Sequence, residues 1–213
     1  MSRIMTVARK NGFDLHTFVT QSCLIDPQYQ DRDMRFGLLP ATKPGQLMYD
    51  NSVNAFELAK ELVSQPFYGD IVRDIHRALT RGIDWYEMQS LSGNYRKEEL
   101  EVGGRQCPRH MFVDYLMRER WAPKVKEELA SFDGTSEHAL EIAWGIHHSF
   151  EFIHPFADGN GRTGRILLNY ALMQMNQEPI VVWYKKRFEY YKSINEFNKN
   201  IGEYLRLGEG WPI

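Results

Sequence analysis

The chain has 213 residues, of which 43% are hydrophobic and 13% aromatic, so it is long and apolar enough for one packed domain and is not typical of a disordered protein. Its formal net charge of -2 does not imply a broadly basic face, although local basic patches remain possible, and we predict no nucleic-acid partner. Two distant cysteines, the lack of a signal-peptide pattern and the lack of an apolar run of about 18 residues favour a cytoplasmic protein without a membrane partner.

The first fifty residues show no clear periodicity. The segment FGLLPATKPGQLMYD contains two prolines and two glycines, which predicts a loop or an extended arm. We therefore predict an N-terminal arm or extension, partly irregular, over residues 1–50 and one main domain over residues 51–213. Helical spacing of apolar residues begins near Asn51 and ends at Pro66, and a second helix is predicted over 70–81.

The segment LSGNYRKEELEVGGRQ differs from the helical patterns around it. Gly93 and the pair Gly103–Gly104 bracket a short polar and charged stretch, which predicts a small β-hairpin or an extended loop. After Pro108, residues 110–132 have a helical pattern that we expect to break at Pro123.

Two strong helical patterns follow, with a short polar stretch between them. Residues 136–153 carry one apolar stripe, and residues 163–177 are apolar on nearly every side, as expected of a buried helix. A last helix is predicted over about residues 188–207. The chain is thus predicted to be mostly helical, with one small β element.

The stretch between those two helices reads HPFADGNGRTGR. Its glycines allow a sharp turn and a close approach of the backbone to a ligand. The helix after it is predicted to begin near residues 161–163, and the free N–H groups at a helix start bind anions, phosphate above all. Arg162 and Arg165 share one helical face over that start, and Asn160 adds a side-chain donor. These groups predict a site for an oligophosphate.

Asp158 and His154 add two further chemical groups. A carboxylate beside phosphates repels them unless a cation lies between, and Mg²⁺ is commonly held by carboxylates together with phosphate oxygens. A histidine near a polarised phosphorus is placed to take a proton from an attacking hydroxyl. We predict that Phe156 anchors the loop in the core. A P-loop is excluded because no Lys-Ser or Lys-Thr follows the glycines, and a dinucleotide fold is not favoured because no strand precedes them.

The stretch resembles the signature of Fic-domain proteins, HxFx(D/E)GNGRxxR, at every defined position. Those positions are His154, Phe156, Asp158, Gly159, Asn160, Gly161, Arg162 and Arg165. The preceding GIHHSFEFIHPF resembles the family's helix that leads into the motif, and LSGNYRKEELEVGG resembles its flap, a hairpin over the active site. The resemblance covers about residues 90–205. It implies an all-α fold with a β-hairpin flap, in which residues 51–213 form a Fic-type catalytic domain.

The resemblance also implies a reaction, the transfer of AMP from ATP to a Ser, Thr or Tyr hydroxyl of a target protein with release of pyrophosphate. His154 would be the general base, and Asp158 would bind Mg²⁺ at the α- and β-phosphates. The flap would pair with an extended target segment as an added strand. Its residues are Tyr95, Arg96, Lys97, Glu98, Glu99, Leu100, Glu101 and Val102.

The remaining motif positions are implied to bind the nucleotide. Asn160, with the backbone of Gly159 and Gly161, would form an anion hole. Arg162 would contact the phosphates, and Arg165 would hold the terminal phosphate and orient the nucleotide. Doc-like relatives, which act as kinases, have a lysine at the position of Gly161. The glycine of this chain therefore favours AMP transfer. A Doc-like protein kinase, another nucleotide-derived group transferase, and a non-catalytic nucleotide-binding or toxin–antitoxin module remain alternatives.

Regulation is the last point that the resemblance raises. Many family members silence themselves with a helix that carries (S/T)xxxE(G/N), whose glutamate binds the second arginine. No Ser or Thr of this chain is followed by Glu four residues later, so we expect no inhibition of that kind within the chain and predict a separate antitoxin-like protein. The sequence leaves a homo-oligomer open. The histidines outside the motif are assigned structural roles, with His76, His110 and His138 at the surface or at helix caps.

Overall fold

The computed structural model describes residues 12–26 and 42–207, apart from the side chain of Met88. The helices are α1 (Leu15–Ile25), α2 (Lys43–Leu62), α3 (Ile71–Thr80), α4 (Asp84–Met88), α5 (His110–Tyr115), α6 (Ala122–Ala130), α7 (Ser136–Ile153), α8 (Asn160–Gln174), α9 (Arg187–Asn198) and α10 (Ile201–Tyr204). A π-helical segment (Leu116–Trp121) joins α5 to α6, and a 3-10 turn (Tyr184–Lys186) precedes α9. The two strands, β1 (Glu101–Val102) and β2 (Arg105–Gln106), form one antiparallel hairpin. The predicted fold class is confirmed.

Helix α8 lies at the centre of the molecule. It contacts α1, α2, α3 and α7, and its apolar side chains from Ile166 to Leu172 are buried. A helix that is apolar on nearly every side needs neighbours on every side, and here four helices supply them. None of the helices in the described ranges has the length and hydropathy that a bilayer crossing requires.

The described part of the first fifty residues is helical, which corrects the predicted irregular arm. Asp14 caps α1 by accepting a hydrogen bond from the Thr17 N–H at 2.7 Å, and Phe18 and Leu24 join the main core. Helix α2 begins at Lys43, well before the predicted start near Asn51, with Thr42 as its N-cap. Pro44, one of the two prolines that suggested a loop, lies in the first turn of α2, where its missing N–H has no cost. Residues 27–41 of the predicted arm lie outside the described ranges.

The break expected at Pro123 is also wrong. The chain stays helical from His110 to Ala130, and Pro123 lies in the first turn of α6, directly after the π-helical segment. Wider π-type turns commonly interrupt α-helices in this way. This continuous helical segment begins near the base of the flap, where His110 contacts Glu99.

The hairpin occupies the predicted segment with shorter strands. Glu101 pairs with Gln106 and Val102 with Arg105, across a turn formed by Gly103 and Gly104. Residues 95–100 are not strand; they lead from the end of α4 into the hairpin. The hairpin and this leading segment reach the loop that joins α7 to α8.

Candidate active site

The loop between α7 and α8 is held at both ends. His154 ends α7 in a left-handed conformation with φ of 49°, and its N–H donates to the Phe150 carbonyl at 2.9 Å. Phe156 is fully buried, as predicted, and stacks on the His76 ring with centroids 3.7 Å apart. The loop therefore presents its polar groups from a rigid base.

Asn160 closes the loop internally. Its Oδ1 accepts from the Phe156 N–H at 2.9 Å, and its Nδ2 donates to the Phe156 carbonyl at 2.8 Å. Both ends of the amide are thus used within the loop, so its side chain is not directed at a ligand as the sequence suggested. Gly159 precedes it with φ of 79°, a conformation that glycine adopts without strain, and α8 starts at once. Only the backbone of this turn is left to contribute to an anion hole.

Asp158 is fixed by residues far away in the sequence. Its Oδ2 accepts from the Tyr86 hydroxyl at 2.6 Å, and its Oδ1 accepts from the Gly159 N–H at 2.6 Å. The Asp158 carbonyl lies 2.9 Å from His76 Nε2, while His76 Nδ1 accepts from the Gly93 N–H. His76 must therefore carry its proton on Nε2 and donate to the Asp158 carbonyl.

His76 is a residue that the sequence interpretation misplaced. It is 1% exposed, so the predicted position at the surface or at a cap is wrong. Burial lowers its pKa to about 4, and the imidazole is neutral at physiological pH. Both His76 and Tyr86 support Asp158 from helices that carry no recognisable motif.

His154 is almost buried and neutral. Its side chain is 16% exposed. Burial, followed by the charges of Arg105 and Arg96, lowers its pKa to about 4. A neutral imidazole at the edge of the loop has a lone pair with which to accept a proton.

Arg162 and Arg165 project from the first turns of α8 and are each 1% exposed. Arg162 Nε lies 3.4 Å from Asp26 Oδ2, and Arg165 Nη2 lies 3.0 Å from Asp26 Oδ1. Burial opposes the charge of Arg165, but the Asp26 carboxylate and the other acidic neighbours outweigh it and raise its pKa above the usual value. The two arginines thus grip one carboxylate between them.

The segment around Asp26 supplies further contacts to Arg165. Its Nε donates to Ser22 Oγ and its Nη2 to the Ser22 carbonyl, both at 2.8 Å. Its Nη1 donates to the Tyr190 hydroxyl at 3.3 Å. A Cβ added to Gly161 would lie 2.8 Å from Asp26 Oδ1, so the carboxylate also lies against the first turn of α8. A side-chain anion already lies where the sequence predicts phosphate.

The chain lacks the (S/T)xxxE(G/N) motif, but an internal carboxylate nevertheless contacts its second arginine. Ser22 and Asp26 have the spacing of the inhibitory motif, but residue 26 is an aspartate where the motif has a glutamate. The signal was present in the sequence as Ser-x-x-x-Asp. Residues 15–25 have no clear helical pattern, so the sequence does not predict that Asp26 lies beside the two arginines.

The flap segment turns two of its predicted docking residues inward. Arg96 is 3% exposed, and its Nε donates to the His154 carbonyl at 2.9 Å while its N–H donates to the Pro155 carbonyl at 2.8 Å. Tyr95 packs against Phe156, with ring centroids 5.6 Å apart. These residues fasten the flap to the loop. The exposed members of the predicted set are Lys97, Glu98, Glu99, Glu101 and Val102, and Leu100 is half-buried.

Comparison with known sequences places the motif in its family. The profile of the Fic/DOC family matches residues 66–172, about half of the chain. The protein adenylyltransferase Fic of Drosophila ananassae is 32% identical over 130 residues, which are 60% of this chain and 24% of that protein. The protein of the same name from Nematostella vectensis is 40% identical over 107 residues, which are 50% of this chain and 24% of that protein. The chain thus spans about a quarter of the length of these curated relatives.

Solved structures agree on the fold. A Fic-domain-containing signalling protein from Bacteroides thetaiotaomicron superposes with a TM-score of 0.69 at 19% identity, over 84% of this chain and 70% of that one. A Fic family protein from Desulfovibrio desulfuricans gives a TM-score of 0.62 at 21% identity, over 87% of this chain and 58% of that one. The match of the family profile to residues 66–172, together with this fold, shows that the chain belongs to the Fic/DOC family.

Proposed function

We propose that the protein transfers AMP from Mg-ATP to a Ser, Thr or Tyr hydroxyl of a target protein and releases pyrophosphate. The observation that carries the proposal is that one loop-and-helix unit bears both a neutral, nearly buried His154 and the two arginines, Arg162 and Arg165, that contact a carboxylate. The curated relatives that the chain matches are named protein adenylyltransferases. Proximity of a base and an oligophosphate site is what hydroxyl attack on a phosphorus requires.

The phosphates would bind where the Asp26 carboxylate lies. Arg162 and Arg165 present guanidinium groups there, and the first N–H groups of α8 add the positive end of the helix dipole. Because the Asn160 amide is used within the loop and the Gly159 N–H donates to Asp158, the anion hole would consist of the backbone N–H groups of Asn160 and Gly161. Guanidinium pairs can grip phosphate oxygens through two donors at once.

Asp158 fits a role in holding Mg²⁺. Its carboxylate is half-buried on the loop next to the anion site, and Tyr86 and Gly159 fix its orientation. Bound there with phosphate oxygens, the ion would offset the negative charge of the triphosphate. His154 would accept the proton of the target hydroxyl as the new ester bond to the α-phosphorus forms.

Asp26 gives the proposed enzyme an internal competitor. A triphosphate and the Asp26 carboxylate cannot both occupy the two arginines, so ATP must displace α1 at its C-terminal end or bind in a different pose. This contact is an internal counterpart of the inhibition that the sequence assigned to a separate protein. A separate antitoxin-like partner remains a prediction, and so does docking of a target strand on the exposed flap edge.

Labelled ATP tests the proposed reaction. The protein is incubated with Mg²⁺, a cell lysate and ATP labelled at either the α- or the γ-phosphate, as wild type, as Asp26→Asn and as His154→Ala. We expect α-label on protein with wild type or more strongly with Asp26→Asn, and none with His154→Ala. Transfer of the γ-label alone would instead assign a Doc-like kinase, and the absence of either label from all three proteins would contradict an enzyme of this class.

A further inference from the structure

A buried carboxylate lies directly behind His154. Glu151 is in the last turn of α7, three residues before His154, and its side chain is 8% exposed. Its Oε2 is 3.7 Å from His154 Nδ1. The left-handed conformation of His154 turns the chain away from the helix at this point, and the ring nitrogen Nδ1 remains on the buried side.

The two side chains each have a buried polar atom without a hydrogen bond. Among the described residues, neither His154 Nδ1 nor Glu151 Oε1 has a hydrogen-bond partner. Such atoms are rare in folded proteins because leaving them unpaired is costly. The oxygen that faces His154 is Oε2, whereas the unpaired Oε1 lies toward Gly164. A shortening of the 3.7 Å separation between Oε2 and Nδ1 by less than about 1 Å would form a hydrogen bond between the ring Nδ1–H and the carboxylate.

The proposed reaction fixes which nitrogen needs that bond. A general base needs one ring nitrogen free of hydrogen, and the exposed edge of the ring is the one that can meet a target hydroxyl. A neutral imidazole carries a single proton, so that proton must then lie on the buried Nδ1 and needs an acceptor.

We propose that Glu151 is the positioning residue of His154: its carboxylate accepts the Nδ1 proton, keeps Nε2 free, and stabilises the imidazolium that forms during transfer. This inference rests on the proposed AMP transfer. In the step, the hydroxyl oxygen bonds to the α-phosphorus, the bond from that phosphorus to the pyrophosphate oxygen breaks, and the hydroxyl proton passes to Nε2. A carboxylate on the far side of a histidine base has this role in other acyl- and phosphoryl-transfer sites.

The charges around His154 make a compensating carboxylate necessary. Burial and the positive charges of Arg105 and Arg96 lower its pKa to about 4, with the Glu151 main-chain carbonyl and then Asp158 acting in the opposite direction. An imidazolium in this position is therefore unfavourable, and such a weak base is a poor acceptor for a hydroxyl proton. An ionised Glu151 would offset the two arginines.

The charge state of Glu151 depends on pH. Burial raises its pKa to about 7, with Arg165 and Arg105 lowering it and Asp26 raising it. The neutral ring of His147 lies nearby, on the same side of Gly164 as Glu151, and its Nε2 is hydrogen-bonded to the Tyr190 hydroxyl at 2.9 Å. Glu151 is thus protonated below about pH 7 and gains the charge that supports His154 above it.

The main-chain carbonyl of Glu151 is the competing acceptor for the Nδ1 proton, since it belongs to the same turn. The variant Glu151→Gln keeps that carbonyl and the side-chain volume, and it removes only the charge. Glu141→Gln is the matched control, because Glu141 is an exposed glutamate on the same helix.

The first measurement is nitrogen NMR of His154 in the ligand-free full chain. We expect the wild-type ring to be neutral with its proton on Nδ1, and its Nδ1 signal to shift as the Glu151 carboxyl carbon titrates near pH 7. A wild-type ring with its proton on Nε2, or a Glu151 carboxyl that titrates without effect on His154, overturns the proposal. This measurement needs no variant and no activity, so it remains decisive if Glu151→Gln fails to fold or if the protein does not transfer AMP.

The second measurement is the pH profile of AMP transfer. In wild type and in Glu141→Gln, kcat should fall about tenfold per pH unit below pH 7. In Glu151→Gln, kcat at pH 8 should be about 10- to 1,000-fold lower than in the wild type, and the KM for ATP should stay within about threefold of the wild-type value. The fall of kcat below pH 7 should be lost. If folded Glu151→Gln has an unchanged kcat, the Glu151 main-chain carbonyl is sufficient to orient the His154 ring, and the proposal is overturned.

Discussion

At the scale of single residues, Asp26 is the counter-charge of the two buried arginines. Its carboxylate contacts Arg162 and Arg165, which are each 1% exposed. We expect Asp26→Asn to lower the Kd for ATP about tenfold, because an anionic competitor leaves the site and each charge-assisted hydrogen bond contributes about 1.5–3 kcal/mol. The same change should lower the free energy of unfolding without nucleotide by up to about 3 kcal/mol, because two buried cations lose their counter-charge. Calorimetric titration with ATP and urea denaturation give the two values.

Ser22→Ala is the matched control for this prediction. It removes one hydrogen bond to Arg165 Nε but leaves the Ser22 carbonyl and the Asp26 carboxylate in place. Its effect on the Kd for ATP should therefore be several times smaller than that of Asp26→Asn. An Asp26→Asn protein that binds ATP no better than wild type would show that the carboxylate does not compete with the nucleotide.

At the scale of elements, the close approach of α7 and α8 depends on Gly164. A Cβ at this position would lie 2.3 Å from Glu151 Oε1 and 2.9 Å from His147 Nδ1. In an open helix, Gly→Ala stabilises by about 0.5–1 kcal/mol, but overpacking a core costs about 1–3 kcal/mol. We expect Gly164→Ala to lower the free energy of unfolding and to reduce the proposed AMP transfer, since the added Cβ displaces the Glu151 carboxylate from its position beside His154. Urea denaturation and the labelling assay measure both effects.

Gly202 in α10 provides the comparison, because a Cβ there meets no atom within 4 Å. Gly202→Ala should leave stability unchanged or slightly increased and should not affect transfer. If Gly164→Ala proved as stable and as active as Gly202→Ala, the contact between α7 and α8 would have to be looser than the structure indicates.

The elements also show where sequence patterns succeed and where they stop. Helices α7 and α8 follow from periodicity because each buries a regular apolar face or stripe. Helix α1 does not, since LHTFVTQSCLI mixes Thr, Ser and β-branched residues of low helix propensity and is stabilised by packing on the core. Missing α1 also meant missing Asp26, whose role depends on where that helix places it.

At the scale of the whole molecule, the motif and its support come from different parts of the chain. His154, Asp158 and the two arginines were predicted from one continuous stretch. His76 and Tyr86 contact Asp158 from 82 and 72 residues away, and Ser22 contacts Arg165 from 143 residues away. Such contacts leave no local pattern, because only the tertiary packing of α1, α3 and α4 around α8 creates them. The candidate reacting groups were thus predictable, and the groups that hold them in place were not.

A cluster of buried neutral histidines makes the stability of the whole molecule depend on pH. Burial lowers the pKa of His76 and His154 to about 4 and that of His148 to about 3, and it lowers that of His147 well below 6.5. Between pH 6.5 and about 4 the unfolded chain binds these protons and the folded chain does not, so stability falls as pH falls through this window. Glu151 acts in the opposite direction, because its raised pKa of about 7 gives stability that is present below its unfolded value and lost as pH rises through 7.

Because acidification destabilises the protein through four histidines and stabilises it through only one carboxyl, the free energy of unfolding should be larger at neutral than at acidic pH. Each unmatched proton changes the free energy of unfolding by about 1.4 kcal/mol per pH unit, so a typical reserve of about 5–15 kcal/mol should be exhausted between about pH 6 and pH 4. Urea denaturation at pH 5, 6 and 7 measures the slope. His148→Gln should flatten it by about one proton, since among the described residues the His148 ring has one hydrogen-bond partner, Ser193 Oγ at 3.1 Å, and it lies outside the loop. Equal free energies of unfolding at pH 5 and pH 7 would mean that these rings are protonated in the folded protein, which is incompatible with a neutral His154 acting as the base.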